Sequence, residues 1–432
     1  MNPESNLQHL FEASLLEIPA DTDRFIISFS GGLDSSVLLD LLCARPRSQK
    51  IIIWHINHQL QDCSTSMAEF CHKQAQERSL EYRYHELDLG SSESNVEARA
   101  RKARYLLYNS LMQSSDCLFM AHHADDQVET FLLNALRGSG ATGLRGMPQL
   151  RTMGQGHLFR PFLTMYRKQL EAYSRENSVE WFEDPSNQAD HFDRNFLRNK
   201  VIPLLKQRWP AANKRLFHAS LLQAETCQIL DSLSEQDFDK LCGSSVWADC
   251  NLDIHQLISL PVGRQKNVVR YYLERKNLAT LPSRRLHELL RQIGDNPNGN
   301  SVIETAEYAF RAYQSKLYLI KSDVNSEQSI VNFRCLVTDT RVELHAPFQS
   351  LTRADLLNQL NLEDEGQTLV LKIGSELVCS EDRHRLKRLM QKYKVPPWCR
   401  NKIPMIYLDD KLIDLFLHFS VDSPVSTHIK NT

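Results

Sequence analysis

Between Arg24 and Cys43 an apolar strand, a double glycine and a helix follow one another, and few folds accept that order. Arg24–Phe29 reads as a buried strand, Ser30-Gly31-Gly32 as a tight turn, and Leu33–Cys43 as a helix. The alternation continues with a strand at Ile51–Ile56, a helix at Ser66–Arg78 and a weaker strand at Tyr82–Leu87. A long helix at Asn95–Met112, a strand at Asp116–Ala121 and a helix at Ala124–Leu136 follow. Strand, helix and strand at this spacing predict right-handed crossovers and a parallel α/β sheet covered on both faces. Ligands of such sheets bind beyond the carboxyl ends of the strands, so the chemistry is sought there.

The chain has 432 residues, about three domains' worth. Residues 1–215 carry the α/β pattern. Residues 216–325 are helix-rich, with Leu216, Leu221, Leu222, Ile229 and Leu233 near helical period. Asp295–Asn300 is a turn signal, Ser301–Ser322 alternates like a hairpin, and Ser322–Ser329 is a polar linker. Residues 330–432 read as a small mixed α+β domain. No apolar run approaches the roughly 18 residues that span a bilayer, and acids stand where a signal peptide carries bases. A cytoplasmic protein without a membrane partner is expected. The ten cysteines include no C-x-x-C pair, Cys242 and Cys250 being eight apart, so reduced thiols are expected.

The net charge of −2 argues against a uniformly basic nucleic-acid binder, but the charge is segregated. Lys and Arg outnumber acids seven to two over Asp190–Ser220, and eight to two over both Arg264–Arg291 and Glu381–Lys402. Such clusters let a nearly neutral protein hold a polyanion on one face. Solvated helix faces are the simpler reading of any single cluster.

Ser30-Gly31-Gly32-Leu33-Asp34-Ser35-Ser36 is the most informative segment. Adjacent glycines bring backbone N–H groups close to an anion, and the helix start adds unpaired donors and partial positive charge. Ser30, Ser35 and Ser36 offer hydroxyls. Asp34 suits a Mg²⁺ that bridges phosphates, and no Walker lysine is present. The alternative is a capped turn with Asp34 serving the helix dipole. The segment resembles the PP-loop ATPase superfamily, which implies an adenine-nucleotide alpha-hydrolase-like sheet and cleavage of ATP to AMP and pyrophosphate.

Gly138-Ser-Gly140-Ala-Thr-Gly143 matches a dinucleotide fingerprint but follows a helix, and Arg160 stands where an acid belongs. It reads as a glycine-rich loop on the site's rim. Just before it, Ala121-His122-His123-Ala124-Asp125-Asp126-Gln127-Val128-Glu129-Thr130 joins a strand end to a helix start. Asp126 and Glu129 share a helix face and suit an ammonium group. A metal site from His122, His123 and Asp125 is the rival reading, and a helix cap the bland one.

Several motifs in order narrow the resemblance. Ser30–Ser35 is followed by E-A-R-A-R-K-A-R-Y at Glu97–Tyr105, the histidine–acid motif, R-G-S-G-A-T-G-L at Arg137–Leu144, and F-E-D-P-S-N with D-R-N-F-L-R within Phe182–Arg198. With Leu386–Pro404 near the C-terminus, the chain resembles the tRNA(Ile)-lysidine synthetase family in its long, three-domain form. One departure is Asp382-Arg383-His384-Arg385, where that family often has a Gly-Arg pair.

The resemblance implies ATP-dependent joining of L-lysine to C2 of the wobble cytidine in the CAU anticodon of tRNA(Ile), through an adenylated cytidine. It assigns ATP to Ser30, Gly31, Gly32, Leu33, Asp34 and Ser35, with Mg²⁺ on Asp34. Arg101 and Arg104, three apart on one helix face, are the candidates for the triphosphate, Arg104 being favoured, and His122 or His123 accepts the proton, a carboxylate serving equally well. Asp126 and Glu129 select lysine. Arg194, Asn195 and Arg198 face the anticodon loop, while Arg385, Lys387 and Arg388 hold an RNA arm. A homodimer is compatible with all of this. The alternatives are a PP-loop tRNA thiolase, against which the lack of paired cysteines counts, and a non-catalytic RNA binder, against which intact Gly31, Gly32 and Asp34 count.

Overall fold

The computed structural model describes residues 4–46, 48–57, 64–87, 96–183, 193–245, 248–297, 299, 302–321, 333–337, 357–358, 360, 368–373, 378, 382–401 and 403–416. The Ser322–Ser329 linker and Asp184–Asn187 of the F-E-D-P-S-N motif lie outside the described residues. Two compact units divide the chain, residues 1–229 and 230–432.

In the first unit a helix α1 (Glu4–Ser14) precedes β1 (Arg24–Ser28), α2 (Leu33–Ala44), β2 (Lys50–Asn57), α3 (Ser64–Glu77) and β3 (Glu81–Glu86). Then come α4 (Val96–Leu111), β4 (Asp116–Phe119), α5 (Ala124–Leu136), α6 (Ala141–Leu144), β5 (Leu150–Met153), β6 (Gly156–Phe159) and α7 (Arg167–Glu176). The sheet order is β3-β2-β1-β4-β6-β5. All neighbours are parallel except the edge pair β5–β6, a hairpin that the residue pattern does not reveal.

Alternation along the strands sorts the core into two layers. Phe25, Ile27, Ile51, Ile53, Cys117 and Phe119 pack with α1, α2 and α7. Ile26, Ile52, Trp54, Leu118, Met120 and Leu158 pack with Tyr108 and Met112 at the end of α4. Both faces are thus buried, which is why these strands are apolar throughout. β1 pairs with β2 on one side and β4 on the other, so the topology reverses there. A crevice opens beyond the strand ends at such a reversal. The unit closes with α8 (Asp193–Phe196), a π-helical turn at Leu197–Val201, α9 (Ile202–Arg208) and the start of α10 (Ala212–Leu241).

In the second unit the helices α11 (Ile254–Ser259), α12 (Val262–Arg275) and α13 (Ser283–Asp295) accompany a five-stranded antiparallel sheet. Its strands are β7 (Cys242–Ser245), β8 (Ala248–Asp253), β9 (Val302–Glu304), β10 (Tyr308–Tyr313) and β11 (Lys316–Lys321), ordered β7-β8-β11-β10-β9. The expected hairpin is β10–β11. β7 and β8 bring Cys242 and Cys250 within 5.9 Å (Cα–Cα), a spacing that a disulfide can bridge. Strand pairing that the spacing of eight does not reveal brings the two thiols together. Cys71 and Cys117 are buried thiols, pushed up to about 12 by burial.

A four-stranded antiparallel sheet, β12 (Phe333–Leu336), β13 (Leu369–Ile373), β14 (Met405–Leu408) and β15 (Lys411–Leu415), accompanies α14 (Arg383–Lys392) in the last of the described residues. Leu386, Leu389 and Met390 of α14 join its core. Arg383, His384, Arg385, Lys387 and Arg388 are exposed on the other faces. Trp398 packs edge-on to Tyr313 and Tyr318, with Arg311 over its ring. Among the described residues no helix is long and apolar enough to cross a membrane.

Candidate active site

The loop after β1 is held by its own side chains. The Ser35 hydroxyl donates to the Gly32 carbonyl at 2.9 Å, the Ser36 hydroxyl to that of Gly31 at 3.3 Å, and Ser30 and Ser35 share a contact of 3.1 Å. Gly31 has φ +79°, and a Cβ there would lie 3.1 Å from Cys71 Sγ. Conformation and space therefore both require glycine. The Phe182 N–H donates to the Gly31 carbonyl at 2.8 Å, so the start of the F-E-D-P-S-N motif ties the loop down from outside. Gly32 caps α2, whose first-turn N–H groups, those of Leu33, Asp34 and Ser35, have no intrahelical acceptor. An anion is matched there.

Asp34 stands at that helix start with its Oδ1 buried and without a hydrogen-bond partner. Burial raises its proton affinity, opposed by His123 and Arg167. Its Oδ2 lies 3.7 Å from His123 Nε2 and 3.6 Å from Arg167 Nη1. His123 Nε2 is also 3.6 Å from Asp126 Oδ2, and its Nδ1 is 3.7 Å from Asp125 Oδ2. One buried imidazole therefore joins the β1 loop to the acids of α5. Asp126 doubles as the cap of α5, accepting the His123 N–H at 2.9 Å.

Asp125 is structural. Its carboxylate accepts from the Arg167 N–H at 3.0 Å and the Asn213 amide at 2.7 Å, pinning α7 and α10 to α5. Among the described residues no group of three or more His, Cys, Asp or Glu could hold a metal ion, so a site made of His122, His123 and Asp125 is not formed.

Asp126 and Glu129 come together as expected, but with company. The Arg198 guanidinium bonds both oxygens of Glu129, at 2.6 and 3.0 Å, and Asp126 Oδ1 at 3.2 Å. Arg194 lies 3.4 Å from Glu129 and donates to Thr130 at 2.9 Å. The arginines expected at the anticodon loop thus lie along α5, with Asn195 between them on α8. Burial works against the Asp126 charge, yet His123, His122 and Arg194 outweigh it and hold this carboxyl below the usual range. Glu129 is only 1 % exposed, and burial shifts it upward despite Arg198.

His122 makes its hydrogen bond elsewhere. Its Nδ1 accepts from Arg160 Nε at 3.3 Å, which occupies the lone pair of the neutral ring. Burial pushes it down to about 3, with Arg160 and Arg101 adding to the shift against Asp126. It is a poor proton acceptor, so of the two histidines only His123 suits the role. Below about pH 6.5 the unfolded chain binds a proton that the folded ring refuses until about pH 3. Stability is therefore expected to fall with pH across that window, and His122→Gln to lose less than the wild type between pH 8 and pH 5. Urea midpoints at the two values check this; equal losses reject it.

Arg167, beside Asp34, is a site residue that motif reading missed, and Arg160, beside His122, is a neighbour of the site that it missed. Arg160 follows the unforeseen strand β6, and Arg167 reaches Asp34 only through the packing of α7. Neither has a spacing signal beyond the Arg-Pro pair at 160–161.

Residues 2–205 match the model of a PP-loop domain, residues 252–318 a TilS substrate binding domain, and residues 374–417 a TilS substrate C-terminal domain. The chain is 33 % identical over 400 residues to the tRNA(Ile)-lysidine synthase of Legionella pneumophila (strain Lens), covering 90 % of each. It is 33 % identical over 412 residues to that of Serratia proteamaculans (strain 568), again covering 90 % of each. The chain belongs to the tRNA(Ile)-lysidine synthase family. It is an ATP-using ligase of tRNA modification. A U34-tRNA thiolase from Methanococcus maripaludis is a more distant likeness, 14 % identical with a TM-score of 0.41 over 50 % of this chain and 79 % of that one. The lysidine synthase motifs, from the β1 loop to the C-terminal basic helix, lie in the same chain as all three matched domains.

Proposed function

We propose that the β1 loop and the α5 acids carry the two half-reactions of lysidine formation in one crevice. The supporting observation is His123, whose ring lies within 3.7 Å of both Asp34 and Asp126. In the first half-reaction cytosine O2 attacks the α-phosphorus and pyrophosphate leaves. In the second the lysine ε-amine attacks C2, the C2–O bond breaks with AMP as leaving group, and the amine gives up a proton. Residues 30–35 cradle the phosphates, Arg104 neutralises charge on the leaving group, and His123 accepts the proton.

The orphaned Oδ1 of Asp34 fits a Mg²⁺, an oxygen-seeking ion that keeps water and phosphate in most of its positions. When bound, the ion neutralises phosphate charge. Residues 1–215 hold this chemistry; 216–325 and 330–432 supply RNA contacts, with Arg385, Lys387 and Arg388 on the latter. A homodimer is part of the proposal, to be checked by sedimentation.

Radiolabelled lysine supplied with ATP and a CAU-anticodon tRNA(Ile) transcript tests the reading. Label is expected in the RNA, with AMP and pyrophosphate released in equal amounts. Absence of label overturns it, and sulfur transfer to the RNA would favour the thiolase alternative.

Asp126 and Glu129 are proposed to bind the substrate ammonium beside Arg198, since carboxylate oxygens accept more than one donor. Asp126→Asn with Glu129→Gln is expected to weaken lysine use about ten- to a hundredfold, the equivalent of 1.5–3 kcal/mol for a charged hydrogen bond. The KM for ATP should change little. Equal losses for both substrates would leave these acids as an α5 cap and an anchor for Arg198.

A further inference from the structure

Across the sheet's carboxyl edge from the β1 loop lies a cluster of arginines that the two half-reactions leave unused. Arg160, just past β6, is 2 % exposed. Its donors go to His122 Nδ1 at 3.3 Å, the Pro148 carbonyl at 2.7 Å and the Tyr105 hydroxyl at 3.4 Å. Arg101 of α4 donates to the same hydroxyl at 3.3 Å. The guanidiniums of Arg101 and Arg151 each lie 5.0 Å from the centroid of the Tyr105 ring. Among the described residues none of these three arginines pairs with a carboxylate.

Three guanidiniums around one phenol repel one another and leave positive charge uncompensated. Burial opposes ionisation of Tyr105, yet Arg101, Arg160 and Arg151 outweigh it and shift the phenol toward the anion. Burial lowers the affinity of Arg101 and Arg160 for their protons against the pull of Tyr105, and neighbouring guanidiniums add to it, Arg104, Arg194 and Arg151 for Arg101 and Arg151 and Arg101 for Arg160. A buried cation without a counter-charge is costly, and a bound anion relieves that cost.

The choice of anion follows from placement. Tyr105 and Arg101 belong to α4, as does Arg104, which the triphosphate takes, so it is the span of the cluster that decides. Arg151 is exposed on β5, the sheet edge, three strands from β1 or roughly 14 Å at the usual strand spacing. One triphosphate seated on the β1 loop stops short of that edge. A chain with phosphates repeated along it reaches both.

We propose that Arg101, Arg151 and Arg160, organised about Tyr105, form a second phosphate site that takes a phosphodiester of the RNA substrate beside the reacting nucleotide. Tyr105 is a positioning residue: its ring supports two guanidiniums and its hydroxyl accepts from two. This inference rests on the lysidine-forming reading above for the position of the reacting base.

The test uses the full chain and a CAU-anticodon tRNA(Ile) transcript, with binding measured against salt. Arg101→Ala and Arg151→Ala remove half-exposed or exposed side chains and spare the core. Each is expected to reduce the slope of log affinity against log salt by about 0.7–0.9 and to raise the KM for tRNA about tenfold. The KM for ATP should stay at the wild-type value. Arg160→Lys, which keeps the charge, should retain more affinity than Arg160→Gln. An unchanged salt slope in the Arg101 and Arg151 variants overturns the proposal, as does a rise confined to the KM for ATP. If the wild type binds tRNA without ligating lysine while the variants still lose slope, the phosphate site stands and the reaction assignment falls.

Discussion

Asp34→Ala is expected to lose about a hundred- to a thousandfold in ATP-dependent adenylation, the scale on which removal of one preorganised electrostatic group acts. The proposed role requires a carboxylate at the start of α2, and alanine leaves nothing there to hold a cation. The fold should survive. Asp34 Oδ1 has no partner to orphan, and Arg167 keeps its bond to Glu171 at 3.2 Å. Burial raises the folded-state pKa of Asp34, so above the ordinary carboxylate range its charge opposes folding. The variant should accordingly melt at the wild-type temperature or above it at pH 7. Pyrophosphate release and thermal melting together check the prediction. Wild-type turnover with excess Mg²⁺ would reject the metal-holding role, and a large fall in melting temperature would make Asp34 a structural cap.

Reversal of Arg385, Lys387 and Arg388 to Glu should raise the KM for tRNA steeply and leave that for lysine nearly unchanged. All three side chains are exposed on α14, whose opposite side is anchored by Leu386, Leu389 and Met390. The substitutions therefore change charge without touching the core. Removing one cation from a phosphate should reduce the salt slope of tRNA binding by about 0.7–0.9, so removing all three should change it by roughly two to three. Arg385 also donates to the Ile413 carbonyl at 3.4 Å, a long bond whose loss costs little. Unaltered affinity at low salt would make the helix face merely solvated and move the RNA anchor to the basic stretches at 194–215 or 264–291.

Local signals carried much of the first unit. An apolar run, glycine punctuation and helix-start acids are properties of neighbouring residues, so β1, the loop at 30–36, α2 and α5 were legible. α5 falls on the expected Ala124–Leu136, because a strand end, capping acids and a following glycine bound it on both sides. Motif order was likewise visible in one dimension and led to the family. β5 and β6 escaped notice because a short edge hairpin has little periodicity. The β7–β8 pair and the approach of Cys242 to Cys250 depend on strand register, which no local pattern states.

Which residue types the crevice contains can be read in one dimension: glycines for an anion, Asp34, paired acids and histidines. Tertiary structure alone decided their partners. Two histidines adjacent in sequence meet different partners, one imidazole lying near Asp34 and Asp126 and the other near Arg160. Arg198, about seventy residues from the α5 acids in sequence, folds onto Glu129 at 2.6 Å. The convergence of Arg101, Arg151 and Arg160 on Tyr105 likewise depends on α4, β5 and β6 meeting at one edge. Charge segregation in a sequence reveals the sign of a surface, but pairing energy depends on distance and burial, which only the packed chain defines.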